Sequence, residues 1–315
     1  MSPTSPNYFI VGAPKTGTTA LAAYLADHPQ VFVSNPKEPF FWDSDHPKSK
    51  PLHGMTSLDA YLRLFQAANP TQHLAIGEGS TTYMQSRVAI KNLMQFNPSA
   101  RVIAMLRNPV QVAYAMHGEL VRHFLEDELD FEKSWALQAA RRAGRQLPPK
   151  CRMDHQLQYQ DVATFAPQIE RLLKYVPEEQ RKIIVFDDFA AETGRCYRET
   201  VEFLGLSDDG RTEFPRIHAA KVFRSQWVGR MYHDPPRLLE KPVAAFRQWF
   251  TGGRRGAVKH MMGSLASKPK PRPPLRPEFE AYLRDVFRTD IERVSELLDR
   301  DLTSWVSRRE LVSAC

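Results

Sequence analysis

Five short apolar segments alternate along the chain with stretches in which apolar residues recur every three or four positions. The segments have the length of buried β-strands, and they are Tyr8–Val11, Gln30–Val33, Leu74–Gly77, Arg101–Leu106 and Lys182–Phe186. The intervening spacing is typical of amphipathic helices. Strands that alternate with helices predict an α/β fold whose central parallel sheet is covered by helices on both faces.

The predicted helices follow the strands in order. They cover Thr18–Leu25, Leu58–Phe65, Ala89–Gln95, Val110–Phe124, most of Phe131–Tyr175, a stretch that ends at Leu206, and Pro277–Trp305. The last of these carries one continuous apolar stripe, which indicates a helix that packs on the core. No internal repeat with a period of 20–50 residues interrupts this pattern.

A length of 315 residues allows one large α/β domain or two small ones. We interpret residues 1–305 as a single domain, followed by a short tail at 306–315. Residues from about 237 to 277 differ in composition from the rest of the chain. They include Gly252-Gly253 and a proline-rich run at Lys268–Pro274. We expect this segment to be an extended excursion from the domain, more mobile than the sheet.

The composition, with 42% hydrophobic and 25% charged residues, is that of an ordinary globular protein. Cys151, Cys196 and Cys315 are far apart and form no CxxC pair, which argues against a disulfide framework or a zinc site. The N-terminus lacks the basic and apolar regions of a signal peptide, and no apolar stretch approaches 18 residues. We therefore expect a soluble cytoplasmic protein.

The net charge of +7 indicates an anionic partner, and the excess is concentrated in one region. Between Lys221 and Arg276 there are thirteen lysines and arginines against two acidic residues. Such a run is either a solvated surface or a contact surface for an anion. One alternative function is therefore a non-catalytic protein that binds nucleic acid or an anionic membrane, with Leu238–Phe250 lying on the bilayer. Pro242 weakens a continuous helix in that stretch.

The loop Gly12-Ala-Pro-Lys-Thr-Gly-Thr-Thr19 follows the first strand and opens the first helix. Free N–H groups at a helix N-terminus bind phosphate, and Gly17 allows close approach of the backbone. The two glycines have the spacing of a P-loop, but Thr18 stands where the lysine belongs, and the lysine is Lys15. A P-loop kinase or nucleotidase would also need a carboxylate for Mg²⁺, for which Asp187-Asp188 are the candidates. The displaced lysine speaks against that alternative.

Two further strands run into polar loops, at Glu78–Tyr83 and at Arg107-Asn-Pro109. The carboxyl ends of parallel strands meet at one edge of a sheet, which is where such folds bind ligands. We therefore expect these two loops and the phosphate loop to form one site.

Five segments, in this order, resemble the PAPS-dependent sulfotransferases (PAPS is 3′-phosphoadenosine 5′-phosphosulfate). The resemblance is to the bacterial, heparan-sulfate-sulfotransferase-like branch, and the segments are Pro14–Ala20, Asn35–Phe41, Gly77–Tyr83, Arg101–Pro109 and Phe287–Trp305. It implies a P-loop-like three-layer fold. It also implies an enzyme that moves a sulfuryl group from PAPS to a hydroxyl acceptor and releases adenosine 3′,5′-bisphosphate.

The resemblance also implies which residues bind the donor. They are Lys15, Thr16, Gly17, Thr18 and Thr19 for the 5′-phosphosulfate, Arg107 for the 3′-phosphate, and Lys221 and Arg224 in a late loop. Two positions depart from the family pattern. Ala115 replaces a serine that usually accompanies the arginine, and Gly79 stands where many relatives carry lysine.

Sulfuryl transfer is an in-line displacement that depends on positioning and charge stabilisation. Lys15 is expected to stabilise the leaving oxygen, and Glu38 matches the family's general base. His117, on the helix after Arg107, is the competing base, and Lys37 is a candidate ligand for a donor or acceptor anion. We expect no metal and no nucleic acid, a small-molecule, glycan or lipid-like acceptor, and peripheral membrane contact through the basic segment.

Overall fold

The computed structural model describes residues 4–47, 55–149, 151, 153–217, 221–223, 267–269 and 272–307, with the backbone alone for 221–223 and 267–269. Most of the predicted excursion at 237–277 lies outside the described residues, and so do Leu238–Phe250 and the tail after residue 307.

Five parallel strands form the central sheet, in the order β2-β3-β1-β4-β5. They are β1 (Tyr8–Gly12), β2 (Val31–Val33), β3 (Ala75–Glu78), β4 (Arg101–Leu106) and β5 (Arg181–Val185). The predicted α/β fold with a parallel sheet is confirmed, with strand boundaries that differ by at most one residue. The fifth strand ends before Phe186, because that residue begins the next helix.

Helices flank the sheet. They are α1 (Thr18–Ala26), α2 (Leu58–Leu62), α3 (Ala89–Phe96), α4 (Pro109–Arg122), α5 (Phe131–Ala136), α6 (Gln138–Arg142), α7 (Tyr159–Ala163), α8 (Ala166–Tyr175), α9 (Phe186–Ala191), α10 (Thr193–Phe203) and α11 (Pro277–Leu298). In the described part of the chain, none of them combines the length and apolar character required to cross a bilayer.

The alternation of side chains along the central strands creates two cores. Phe9 and Val11 of β1 pack into a cluster with α3, α4, α8 and α11. Tyr8 and Ile10 point to the other face, where they pack with residues of α1 and α10. All residues of β1 are buried, as expected for the middle strand of a sheet covered on both faces.

The segment after α11 packs against the residues that follow β4 and β5. The predicted helix at Pro277–Trp305 ends at Leu298, because Asp299 adopts a left-handed backbone conformation (φ 48°). Trp305 then accepts a hydrogen bond from the Asn108 side chain (2.9 Å) and donates its indole N–H to Asp187 (2.7 Å). These bonds fix the segment that immediately follows Arg107.

Two short strands form a separate antiparallel pair, β6 (Lys221–Phe223) and β7 (Ser267–Pro269). In this pair the backbone of Lys221 lies opposite that of Pro269.

Candidate functional site

The phosphate loop joins β1 to α1 through a glycine. Gly17, at φ 96°, is the N-cap residue of α1, and no side chain caps the first turn. The first N–H groups of the helix are therefore available to an anion. The Thr16 hydroxyl is buried and donates to the Ala13 carbonyl oxygen (2.6 Å), which holds the loop in shape. Thr19, in contrast, is partly exposed in the first turn of the helix.

Lys15 extends from this loop to α4, where its Nζ lies 3.1 Å from Glu119 Oε2. The other oxygen of Glu119 bonds Arg122 and His123. Although burial acts in the opposite direction, the hydrogen bond from His123 and the charges of Lys15 and Arg122 hold the pKa of Glu119 far below its usual range. No sequence motif marks Glu119, which meets Lys15 only in the folded chain.

Arg107 lies in the short link between β4 and α4. The link is tight because the Asn108 side chain caps α4 and Pro109 occupies its first turn. The Arg107 guanidinium donates to Gln111 Oε1 (2.9 Å) and to the carbonyl oxygen of Lys15 (3.1 Å). It also lies 4.3 Å from the centre of the ring of Phe186, the residue that follows β5. Arg107 thus contacts the phosphate loop directly.

Lys37 and Glu38 follow β2 and lie beside the same loop. Lys37 Nζ is 2.9 Å from Glu38 Oε1 and 3.4 Å from the Thr18 hydroxyl in the first turn of α1. The second oxygen of Glu38 accepts a hydrogen bond from Thr81 (3.1 Å). The Glu38 side chain retains 28% of its exposure, so the carboxylate is held in place and still reachable.

Gly79 provides the room for Lys37. A Cβ atom at position 79 would lie 2.7 Å from Lys37 Cε and 3.4 Å from its Nζ. A side chain at position 79 could not be present here unless Lys37 moved. The absence of a side chain at Gly79 therefore leaves room for the Lys37 ammonium group beside the first turn of α1.

A buried carboxylate near these residues was not among the site residues predicted from the sequence. Glu78, at the end of β3, is fully buried and accepts hydrogen bonds from Ser80 (2.6 Å), Tyr83 (2.7 Å) and Tyr61 (3.2 Å). Burial raises the pKa of Glu78 to about 7, although the three hydroxyls act in the opposite direction.

The same hydroxyl groups hold the backbone that directly follows the candidate base. Ser80 accepts a hydrogen bond from the backbone N–H of Phe40 (3.1 Å), and Tyr83 accepts one from that of Phe41 (3.0 Å). The Glu78 network therefore fixes the loop that presents Glu38. In the sequence, only the polar residues that follow β3 indicated this network.

His117 lies in the core. It is 4% exposed, its Nε2 lies 2.9 Å from the Glu128 carbonyl oxygen, and its ring packs against Phe131 and Tyr159. Burial lowers the pKa of His117, which favours the neutral ring, and the bond to Glu128 partly opposes this. None of these contacts connects His117 with Lys15 or with the Glu38 carboxylate, so it is the less favoured of the two candidate bases.

The structure describes the two remaining predicted donor ligands only in part. The backbone of Lys221 is described but its side chain is not, and Arg224 lies outside the described residues. Asp187 accepts from Trp305, and Asp188 forms two hydrogen bonds with Arg300 (2.6 and 2.8 Å). The acids considered for a kinase thus fasten the C-terminal segment. No cluster of three or more potential metal ligands occurs within the described ranges.

Comparison with known proteins identifies the family of the chain. The profile described as Sulfotransferase family matches residues 6–210, more than half of the chain, so the chain belongs to the sulfotransferase family. Over 97% of its length it is 24% identical to bifunctional heparan sulfate N-deacetylase/N-sulfotransferase 2 of Homo sapiens. It is 25% identical, over the same share, to the corresponding enzyme 3 of Mus musculus. The chain spans 31% of the length of each of these relatives.

A solved structure supports the same conclusion. The crystal structure of a sulfotransferase from Alicyclobacillus acidocaldarius matches with a TM-score of 0.70 and 25% identity, and the match covers 96% of this chain and 100% of that one. The protein is therefore a sulfotransferase with the P-loop-like α/β fold.

Proposed function

We propose that this sulfotransferase uses PAPS as its donor and a hydroxyl group of a small-molecule, glycan or lipid-like compound as its acceptor. The observation that carries the proposal is a chain of contacts across the site. Glu38 contacts Lys37, and Lys37 contacts Thr18 at the start of α1. A base and an anion-binding helix terminus are thus adjacent, as a displacement at a bound sulfuryl group requires.

The residues present fit a donor with two separate anionic groups. The uncapped first turn of α1 and Lys15 suit the 5′-phosphosulfate. Arg107 is half-buried, and among the described residues no carboxylate pairs with it. A desolvated guanidinium bonded only to neutral oxygens is suited to a phosphate, here the 3′-phosphate. Lys221 and Arg224 remain proposed as additional ligands.

In the proposed reaction the acceptor oxygen forms a bond to sulfur while the bond from sulfur to the 5′-phosphate oxygen breaks. The electron pair of that bond stays on the phosphate oxygen, where Lys15 compensates the growing charge. Glu38 takes the acceptor proton as the new bond forms. Since Lys15 supplies the positive charge at the leaving oxygen, the proposed mechanism requires no metal ion.

The test is incubation with PAPS labelled in its sulfuryl group and a panel of acceptors, followed by separation of the products. The panel contains sugar, phenolic, lipid-like and natural-product hydroxyls. It also contains a heparan-type glycan with free amines, since the relatives include N-sulfotransferases by name. We expect label in at least one hydroxyl product. Phosphate transfer from ATP with Mg²⁺, without any sulfuryl transfer, would support a kinase instead.

A further inference from the structure

The hydrogen bonds around Glu78 have fixed directions, because they begin at backbone N–H groups. Ser80 Oγ accepts from the N–H of Phe40 (3.1 Å), and the Tyr83 hydroxyl accepts from that of Phe41 (3.0 Å). A backbone N–H can only donate, so each hydroxyl oxygen is the acceptor in these bonds. The one proton of each hydroxyl is directed to Glu78, at 2.6 Å from Ser80 and 2.7 Å from Tyr83.

Tyr61 adds a third bond of the same direction. Its hydroxyl accepts from the indole N–H of Trp42 (3.2 Å) and donates to Glu78 (3.2 Å). Protonation of Glu78 would add a donor to this group of donors, and one hydroxyl would have to turn its proton away. That hydroxyl would then hold the loop less firmly, because a hydroxyl that donates to a carboxylate is a stronger acceptor. The network is therefore complete when Glu78 is ionised.

Burial acts against the ionised state of Glu78. It raises the pKa of this carboxyl to about 7, and the charge of Asp43 acts in the same direction, while the hydroxyls that donate to Glu78 oppose both. The other ionisable neighbours are Tyr8, Tyr61 and Tyr83, which stay protonated because burial raises their pKa values. Near neutral pH, the ionised and the protonated network are therefore both populated.

The backbone between Phe40 and the candidate base has little freedom. Pro39 lies between them, and its ring fixes its own φ and restricts the backbone of Glu38, the residue before it. Phe40 has a left-handed backbone conformation (φ 53°), which is unfavourable for a bulky side chain unless neighbouring groups hold it. The hydrogen bond to Ser80 holds it, so a shift of the Phe40 N–H displaces Glu38 as well.

The carboxylate of the base is attached to the same turn of the chain. The Thr81 hydroxyl lies 3.1 Å from Glu38 Oε2, and Thr81 begins the turn Thr81–Tyr83, which Ser80 directly precedes. The side chain of Glu38 and the backbone that follows it are thus both bonded to the segment that Glu78 holds.

We propose that Glu78, in its ionised form, is a positioning residue for Glu38, which it holds in place through Ser80 and Phe40. The inference rests on the proposed function, because it takes Glu38 as the base of the sulfuryl transfer. Glu78 is fully buried, so it acts through the loop and not on the acceptor itself. Its ionisation near neutral pH then controls how well the base is placed.

The kinetic test compares kcat of the wild type and Glu78→Gln at pH 6 and pH 8, with saturating PAPS and an acceptor identified by the labelled panel. Glutamine brings a donor into the network, as the protonated acid does. Glu78→Gln should lower kcat by roughly 10- to 100-fold at pH 8, because a displacement of about 1 Å can cost about 100-fold. Donor affinity should be nearly unchanged, since only the base is displaced.

The ratio of kcat in the wild type to kcat in Glu78→Gln cancels the titration of groups that both proteins share. With a pKa of about 7, Glu78 is about nine-tenths ionised at pH 8 and about one-tenth ionised at pH 6. The ratio should therefore fall by up to about tenfold from pH 8 to pH 6.

Hydrogen exchange, followed by NMR on the full chain, tests the inference without donor or acceptor. The exchange rates of the Phe40 and Phe41 N–H groups are divided by the intrinsic rates at each pH. In the wild type, protection should increase roughly 3- to 10-fold from pH 6 to pH 8, the effect of about one hydrogen bond. In Glu78→Gln it should be lower and independent of pH. Ser80→Ala keeps the charge of Glu78, and it should expose the N–H of Phe40 while Tyr83 still protects that of Phe41.

Asp290→Asn is the matched control. Asp290 is another acid whose pKa burial raises, and it accepts hydrogen bonds from the backbone N–H groups of Phe165 and Ala166 at the start of α8. This substitution should change neither the pH dependence of kcat nor the protection of Phe40 and Phe41.

The outcomes separate this inference from the proposed function. A kcat ratio that is the same at both pH values, or unchanged exchange at Phe40 and Phe41 in Glu78→Gln, would overturn the inference and leave the proposed function intact. Absence of sulfuryl transfer by the wild type, with the expected exchange pattern, would overturn the proposed function and still support the hold of Glu78 on the loop.

Discussion

The replacement of Glu78 by glutamine tests whether burial raises the pKa of this acid in the folded protein. In the folded protein the pKa of Glu78 is raised from 4.5 to about 7, chiefly by burial. The unfolded chain ionises this group near 4.5, so between that pH and 7 the folded state binds the extra proton. The wild type therefore loses stability as the pH rises through this window. A shift of about 2.5 pKa units corresponds to about 3 kcal/mol.

Glutamine has the shape of the protonated acid and does not titrate. The free energy of unfolding of Glu78→Gln, relative to the wild type, should therefore increase by up to about 3 kcal/mol between pH 5 and pH 8. Urea unfolding of both proteins at the two pH values measures this difference directly. A difference in stability that does not depend on pH would refute the reasoning, because it would show that Glu78 titrates alike in the folded and unfolded chain.

The remaining predictions concern the site itself, and all of them are measured by turnover at saturating donor and by calorimetric donor affinity. Glu38→Gln should lower turnover by roughly 10²–10⁴-fold with donor affinity nearly unchanged, since only proton transfer is lost. His117→Asn should cost much less turnover than Glu38→Gln; the reverse order would make His117 the base. Lys15→Ala should impair both turnover and donor affinity, because one ammonium contacts the donor before and during reaction. Arg107→Ala should reduce donor affinity more than turnover, and unchanged affinity would exclude it from the site.

Much of the architecture could be predicted from the sequence. Short apolar segments bounded by glycine, proline and polar residues mark the five strands, because a strand buried on both faces has to be apolar throughout. The convergence of the phosphate loop and Arg107 also followed from topology, since parallel strands end at one edge. That convergence is confirmed by the hydrogen bond from Arg107 to the Lys15 carbonyl oxygen.

The side-chain pairings could not be predicted, because they join residues that no local pattern connects. Glu119 is an ordinary helical glutamate in the sequence, and only the packing of α4 against the loop brings it to Lys15. The sequence likewise does not show that the guanidinium of Arg272 lies directly against Gly118 of α4. The role of Lys37 depends on the absence of a side chain at Gly79, which becomes meaningful only when their contact is known.

We propose that the site binds the nucleotide of PAPS, and ligand-dependent stability measures this binding most directly. We predict that adenosine 3′,5′-bisphosphate, with EDTA present, raises the unfolding free energy by about 2.7 kcal/mol at a concentration one hundred times its Kd. The increase should follow from mass action and should not require metal. An unchanged unfolding midpoint with saturating bisphosphate, together with a clear increase from ATP and Mg²⁺, would show that the site does not bind this nucleotide.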